Sequence, residues 1–117
     1  MDDATRLQVL FFRTAAGAEP VREWLKALAR EDRKVIGEDV KTVQFGWPLG
    51  MPLIRKLDPE LWEVRSHLKG RIARVFFTVQ GEVMVLLHGF VKKSQKTPAA
   101  ELRTAKRRLA QLKGNSP

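Results

Sequence analysis

The sequence predicts an α+β fold, in which a small and mainly antiparallel sheet packs against helices. The first half of the chain carries apolar residues at helical spacing, whereas the second half carries β-prone segments separated by short glycine-bearing turns. A last helical stripe follows these segments. The predicted order is therefore β-α-α-β-β-β-α, and a length of 117 residues suits one domain with a single hydrophobic core.

The first half is predicted to form one strand and two helices. Leu7 to Phe12 (LQVLFF) is short, apolar and β-prone, which indicates a strand. Pro20 suits the first turn of a helix, and apolar residues follow it at 3- and 4-residue spacing. The second helix is predicted from about Glu31 to Gln44, and the cluster Gly46 to Gly50 (GWPLG) ends it.

The second half is predicted to form an antiparallel meander of three strands. The segments LWEVRSHL and RIARVFFTV flank Lys69-Gly70, and Gln80-Gly81 separates the latter from EVMVLLHGFV. Both pairs of residues are typical of two-residue hairpin turns. The last strand, Val83 to Val91, is almost continuously apolar, so we expect it to be central with the first strand as its other neighbour.

A third helix is predicted after the meander. Thr97 is a favourable N-cap, and Pro98 is a favourable first helical residue. The apolar stripe that would face the sheet ends before Gly114 and consists of Leu102, Ala105, Leu109 and Leu112.

The net charge of +9 is concentrated in the second half of the chain. Residues 1–64 hold 10 Lys or Arg against 11 Asp or Glu, whereas residues 65–117 hold 12 against 2. Such a polycationic half favours a polyanionic partner, above all nucleic acid; an acidic protein or an anionic membrane surface is the next possibility. A solvated basic face without a partner remains the simplest alternative.

Other features of the composition restrict the class of protein. The chain has no cysteine, which excludes disulfides and cysteine-based catalysis and fits a reducing compartment. No apolar run approaches the length of a membrane span, and the acidic start MDDATR does not resemble a signal peptide. We therefore expect a cytoplasmic protein with no membrane partner. Phosphate-binding loops and metal-ligand motifs are missing from the sequence, so no cofactor and no metal are predicted.

Two arginines are predicted to face each other across the first hairpin. A turn at Lys69-Gly70 pairs Leu68 with Arg71, and counting back along the strands places Arg65 opposite Arg74. Like charges in this position repel each other unless an anion lies between them. The pair therefore predicts an anion site, and it predicts that Arg74→Ala ends function while leaving the fold stable or slightly stabilised.

Counting residues along the strands also assigns side chains to the two faces of the sheet. The predicted core face holds Trp62, Val64, Leu68, Val75, Phe77, Met84, Leu86, His88 and Phe90. The arginine face is predicted to be semi-polar and to hold Glu63, His67, Phe76, Thr78, Val85, Leu87, Gly89, Val91 and Lys93. We expect one phosphate site where four cations converge, namely Arg65, Arg74, Lys93 and Lys96. The free N–H groups at the start of the third helix are expected to contribute to the same site.

A family resemblance is carried by four segments, which are LWEVR, RVFF, LLHGFVKKSQKTP and AELRTAKRRL. Together they resemble the phage-derived HigB-like branch of the RelE/ParE superfamily of type II toxins. The resemblance covers nearly the whole chain and implies a RelE-like fold for one toxin domain over residues 1–117. It implies a ribosome-dependent mRNA interferase, whose partners are the ribosome, mRNA and an antitoxin with a helix-turn-helix DNA-binding domain. The family's phosphate-holding positions match Arg65, Arg74 and Lys93.

The resemblance leaves the proton carrier of the reaction open. RelE has a tyrosine near the start of the last helix, whereas this chain has no tyrosine. Arginine stays protonated, but a lysine among other cations can exchange a proton near neutral pH, which favours Lys93 or Lys96. RNA backbone contacts are expected from Arg71, Lys92, Arg103, Lys106 and Arg107. The alternative is a non-catalytic protein that uses the same basic face, either a ParE-like toxin or a module that binds nucleic acid or protein.

Overall fold

The α+β class and the arrangement of a small sheet against helices are confirmed. A computed structural model describes residues 6–48, 53–93 and 96–114 of the chain. Its elements are β1 (Gln8–Phe11), α1 (Pro20–Ala27), α2 (Arg30–Gly46), β2 (Ile54–Asp58), β3 (Leu61–Leu68), β4 (Arg71–Gln80), β5 (Val83–Lys92) and α3 (Ala99–Gly114). Among these helices, none is both long and apolar enough to cross a membrane.

One strand, β2, is present in addition to the predicted order. It pairs antiparallel with β3 at the edge of the sheet, where Ile54 lies opposite Val64. Most of its side chains are exposed, and only Ile54 is fully buried. An edge strand needs little apolar surface, which explains why this segment carries so weak a sequence signal.

The sheet order β1-β5-β4-β3-β2 confirms the predicted central position of the last strand. β1 pairs parallel with β5, and β3, β4 and β5 form the antiparallel meander. The first hairpin has the predicted register, with Leu68 opposite Arg71 and Arg65 opposite Arg74. Its turn requires glycine, because Gly70 has a φ of 70°.

The second hairpin differs from the prediction at its turn and at a β-bulge. Gln80 pairs with Val83, so the two turn residues are Gly81 and Glu82. Further along, Phe77 pairs with Leu86 but Phe76 pairs with His88, which leaves Leu87 as an extra residue in β5. Every side chain after the bulge therefore changes face relative to a regular strand.

The bulge makes several predicted face assignments wrong. His88 and Phe90, predicted in the core with Met84, lie on the arginine face instead. Conversely, Gly89 and Val91 lie on the opposite face of the sheet. There Gly89 lies against the Trp24 ring, and Val91 packs against the cluster of buried residues that includes Phe77 and Met84.

Both faces of the sheet are apolar cores, so the prediction of one core and one semi-polar floor is wrong. α1 packs on β5 and α2 packs on β3, which buries Val64, Phe77 and Met84 on one side. On the other side the stripe of α3 packs on Phe76, Leu87 and neighbouring residues. The helix covers this face because the contact removes the apolar stripe of α3 and the apolar face of the sheet from water together.

The start of α3 also differs from the predicted cap. The helix begins at Ala99, and the Pro98 carbonyl accepts a hydrogen bond of 3.2 Å from the Leu102 N–H. Pro98 is therefore the residue before the helix rather than its first residue. The Thr97 side chain is used in the buried ionic network that is described below.

We expect Gly89→Ala to destabilise the protein by about 1–3 kcal/mol, because a β-carbon overpacks this site. An added β-carbon would lie 2.5 Å from the Trp24 ring atoms Cε3 and Cζ3. The measurement is the free energy of unfolding in urea. Gly37→Ala is the control, because Gly37 is an exposed glycine of α2 with no atom near its added β-carbon. This control should be neutral or stabilising, and equal stability of the two variants would contradict the Trp24 packing.

Candidate active site and cationic surface

The two facing arginines share a carboxylate that belongs to the protein itself. Glu63 Oε2 lies 3.5 Å from Arg65 Nε and 3.3 Å from Arg74 Nη1. The side chains of Glu63 and Arg74 are both 0% exposed. Glu63 thus offsets the repulsion that the sequence predicts between the two arginines. Because removal of Arg74 would leave the buried Glu63 carboxylate with less compensation, we expect Arg74→Ala to destabilise the fold rather than to spare it.

Thr97 joins this network from the start of α3. Arg74 Nη1 donates to Thr97 Oγ1 at 2.8 Å, and the Thr97 hydroxyl donates to Glu63 Oε1 at 3.4 Å. Burial lowers the pKa of the Arg74 guanidinium; the Glu63 carboxylate opposes this shift, and Arg65 and Arg55 add to it. The buried network therefore consists of Glu63, Arg65, Arg74 and Thr97. It joins Thr97, which lies just before α3, to strands β3 and β4.

Arg65 is the member of this network that reaches an open cleft. Its side chain is 12% exposed, and it lines a cleft of about 330 Å³ together with Val35, Asp39, Leu53 and His67. His67 itself is exposed. A cation, a carboxylate and an imidazole thus border the same solvent-accessible space, so the cleft holds charged groups of both signs.

The predicted lysines lie at or just beyond the end of β5. Lys92 pairs with Ile72, which also pairs with His67, so these residues form one row across the sheet. Because of the bulge, the arginine face receives Lys92 rather than Lys93, which corrects the predicted orientation. Lys93 lies past the last residue of β5, and both it and Lys96 are exposed. They flank residues 94–95, which lie outside the described part of the chain.

The residues predicted to hold RNA backbone are mostly exposed cations. Arg103, Lys106 and Arg107 lie exposed on α3, and Lys92 is exposed at the end of β5. Arg71 differs, because its Nη2 forms an ion pair of 3.0 Å with Asp32 Oδ2 on α2. Four of the five are therefore open to a polyanion, and the fifth has a partner within the protein.

A second polar cluster was missed by the sequence analysis. His88 Nε2 lies 2.5 Å from Glu101 Oε1, and Arg108 Nη1 lies 3.3 Å from His88 Nδ1. Arginine can only donate, so Nδ1 accepts and Nε2 carries the proton that is donated to Glu101. Both ring nitrogens of His88 are occupied, and the cluster ties α3 to β5. The bulge that brings His88 to α3 has no sequence signal, so the cluster could not be predicted.

The role of Glu63 was also missed, although its face was predicted correctly. Its alternation with Val64 and its position two residues before Arg65 were visible in the sequence. What the sequence did not show is that α3 would cover it.

Within residues 6–48, 53–93 and 96–114, no group of three or more His, Asp or Glu is placed to hold a metal ion.

A small five-stranded sheet with helices on both faces and a cationic end is consistent with a RelE-like fold. The chain belongs to the family described as Phage derived protein Gp49-like, which matches residues 23–110. This is a toxin family of the RelE/HigB type. The match begins within α1, ends within α3 and includes every predicted site residue. No curated protein matches the sequence significantly.

Proposed function

We propose that this protein is the toxin of a type II toxin–antitoxin system and that it acts in the cytoplasm as a ribosome-dependent mRNA interferase. The observation that carries the proposal is the cationic end of the sheet in a member of a RelE/HigB-type toxin family. There Arg65 borders an open cleft, and Lys92, Lys93 and Lys96 are exposed beside a buried network that holds the following residue, Thr97.

The proposed reaction is a transesterification within the RNA backbone. The 2′-hydroxyl oxygen bonds to the adjacent phosphorus and loses its proton, and the bond from phosphorus to the 5′ oxygen breaks as that oxygen gains a proton. Negative charge develops on the phosphoryl oxygens and requires fixed cations. Nothing in this sequence of steps requires a metal ion.

Arg65, Arg74 and one of two lysines are proposed to share this work. Arg65 stabilises the charge on the phosphoryl oxygens, since it is the arginine that reaches the cleft. Arg74 contributes from within the protein, by holding Glu63 and Thr97 in place. Lys93 or Lys96 moves the proton, because an amine can titrate where a guanidinium cannot. The exposed cations of α3 hold ribosomal RNA or mRNA.

An antitoxin with a helix-turn-helix DNA-binding domain is the proposed protein partner. We expect an acidic segment of it to cover the basic face of residues 65–117, so that association is fast at low salt and slows as salt rises. Stopped-flow mixing of toxin and antitoxin at increasing ionic strength measures this rate. A rate that stays constant over that range would contradict electrostatic recognition.

A second function, a non-catalytic ParE-like toxin, is favoured by one observation. Arg74 is fully buried against the protein's own Glu63, so its charge is already paired within the fold. On this alternative the basic face binds a protein or DNA target without cleaving RNA.

Primer extension on a reporter mRNA, after brief expression of the toxin, separates the two functions. The RNase leaves new 5′ ends within the translated message, and a matched message without a start codon should remain intact. Growth arrest without new 5′ ends would overturn the RNase proposal and leave the ParE-like alternative.

A further inference from the structure

A second cleft, of about 430 Å³, lies away from the buried arginine network. It lies between the connection from β1 to α1 and the second half of α3. Arg13 and Thr14 line it from the connection, and Arg107, Arg108 and Gln111 line it from α3. Three arginines from two separate parts of the chain thus line one concavity.

The positive charge of this cleft is poorly neutralised by the protein. Arg13 has an ion pair of 3.5 Å with Glu19, but its side chain is 69% exposed and the pair is weakened by solvent. Arg107 and Arg108 have no carboxylate within ion-pair distance among the residues that the structure describes. Burial lowers the pKa of Arg108, and the neighbouring Arg107 lowers it further. The charge of an anion in the cleft would oppose both effects by favouring the protonated guanidinium.

The Arg108 guanidinium is held in place before any ligand binds. Its Nη1 donates to the Leu87 carbonyl at 2.9 Å and lies 3.3 Å from His88 Nδ1, which accepts. Glu101 in turn fixes the other side of the His88 ring. A cation fixed in this way loses little side-chain entropy when a ligand binds. Thr14 adds a hydroxyl donor, since its oxygen already accepts from the Ala18 N–H.

We propose that this cleft is a phosphate-binding subsite for the backbone of single-stranded RNA. Planar guanidinium groups match the oxygens of a phosphate in pairs. The cleft also continues the exposed cations of α3, where Arg103 and Arg107 lie one turn apart, and a row of cations suits a chain of phosphates better than a single small anion. The inference rests on the proposed function, because RNA is the polyanion that this function supplies.

The test is a fluorescence anisotropy titration of the full chain with a short, labelled single-stranded oligoribonucleotide at several salt concentrations. Arg13→Gln is the decisive variant, because Arg13 belongs to the cleft but not to the exposed face of α3. We expect it to weaken binding several-fold at low salt and to reduce the slope of log affinity against log salt by about 0.7, the loss of one phosphate contact. Arg107→Gln should behave in the same way.

Lys41→Gln is the matched control, because it removes one charge from an exposed position of α2. Its salt slope should equal that of the unchanged protein, and an equal slope for Arg13→Gln would overturn the proposal. The same titration is repeated with a labelled oligoglutamate peptide in place of the RNA. If the peptide binding depends on Arg13 and the RNA binding does not, the cleft recognises an acidic protein segment and the RNA proposal is wrong.

This readout is independent of RNA cleavage. If the unchanged protein leaves no new 5′ ends in mRNA but its RNA binding depends on Arg13, the proposed enzymatic function fails and the subsite stands. If cleavage is seen and Arg13→Gln binds RNA like Lys41→Gln, the subsite fails and the proposed function stands.

Discussion

Glu63→Gln is expected to destabilise the protein by about 3–5 kcal/mol, because it removes the charge of a fully buried carboxylate and leaves its cationic partner buried. Glutamine keeps the size of the side chain and an oxygen that can accept a hydrogen bond from Thr97. The loss in free energy of unfolding therefore reports the removal of the charge alone. The total stability of a domain is about 5–15 kcal/mol, and this variant should therefore lose a large part of it. Urea unfolding followed by circular dichroism measures the change.

Two further variants test whether this loss comes from the buried pair. Glu60→Gln removes a carboxylate that is exposed and paired with Lys113, and its effect should stay within about 0.5 kcal/mol. The double variant Glu63→Gln/Arg74→Met should be less destabilised than the sum of the two single variants, because neither charge is then left alone. Equal stabilities for Glu63→Gln and Glu60→Gln would contradict the buried network.

The same network changes how a loss of toxicity should be interpreted. Arg74→Ala removes a buried cation that holds both Glu63 and Thr97, so it is expected to weaken the fold as well as the function. Arg65→Gln is the better test of charge stabilisation, because Arg65 is partly exposed and borders the cleft. Its unfolding midpoint should be measured beside its activity.

The register of β3 and β4 could be predicted because a two-residue turn with glycine fixes it. Lys69-Gly70 sets Leu68 against Arg71, and the Arg65–Arg74 pair follows by counting. The register of β5 could not be predicted in the same way. Its residues are almost all apolar, so neither face is marked by polar alternation, and the extra Leu87 leaves no trace in the composition.

Only part of the candidate site could be predicted, because strand register can be counted from the sequence whereas the packing of α3 cannot. The convergence of Arg65 and Arg74 followed from the register, but the anion between them is Glu63, whose burial depends on where α3 packs. Thr97 was assigned to a helix cap from local preference, whereas its hydroxyl binds groups distant in sequence. Local patterns identified the charged residues, and only the tertiary packing shows which of them are paired.

The second large effect is expected from the lysines that follow β5. If Lys93 or Lys96 moves a proton in the reaction, its replacement by arginine keeps the charge but removes the group able to titrate. General acid or base assistance is worth roughly 10² to 10⁴ in rate. One of the variants Lys93→Arg and Lys96→Arg should therefore lose that much cleavage on ribosomes programmed with mRNA. The other, if it only contacts phosphate, should lose little.

Binding to the programmed ribosome separates a chemical defect from a docking defect in these lysine variants. Both lysines are exposed, so neither change should disturb the fold, and both variants should bind ribosomes as the unchanged protein does. Lys41→Arg, at an exposed position of α2, is the control that should retain full cleavage. Full cleavage by both Lys93→Arg and Lys96→Arg would exclude a lysine proton carrier. The exposed His67 beside Arg65 would then be the next residue to test, since both nitrogens of His88 are already engaged.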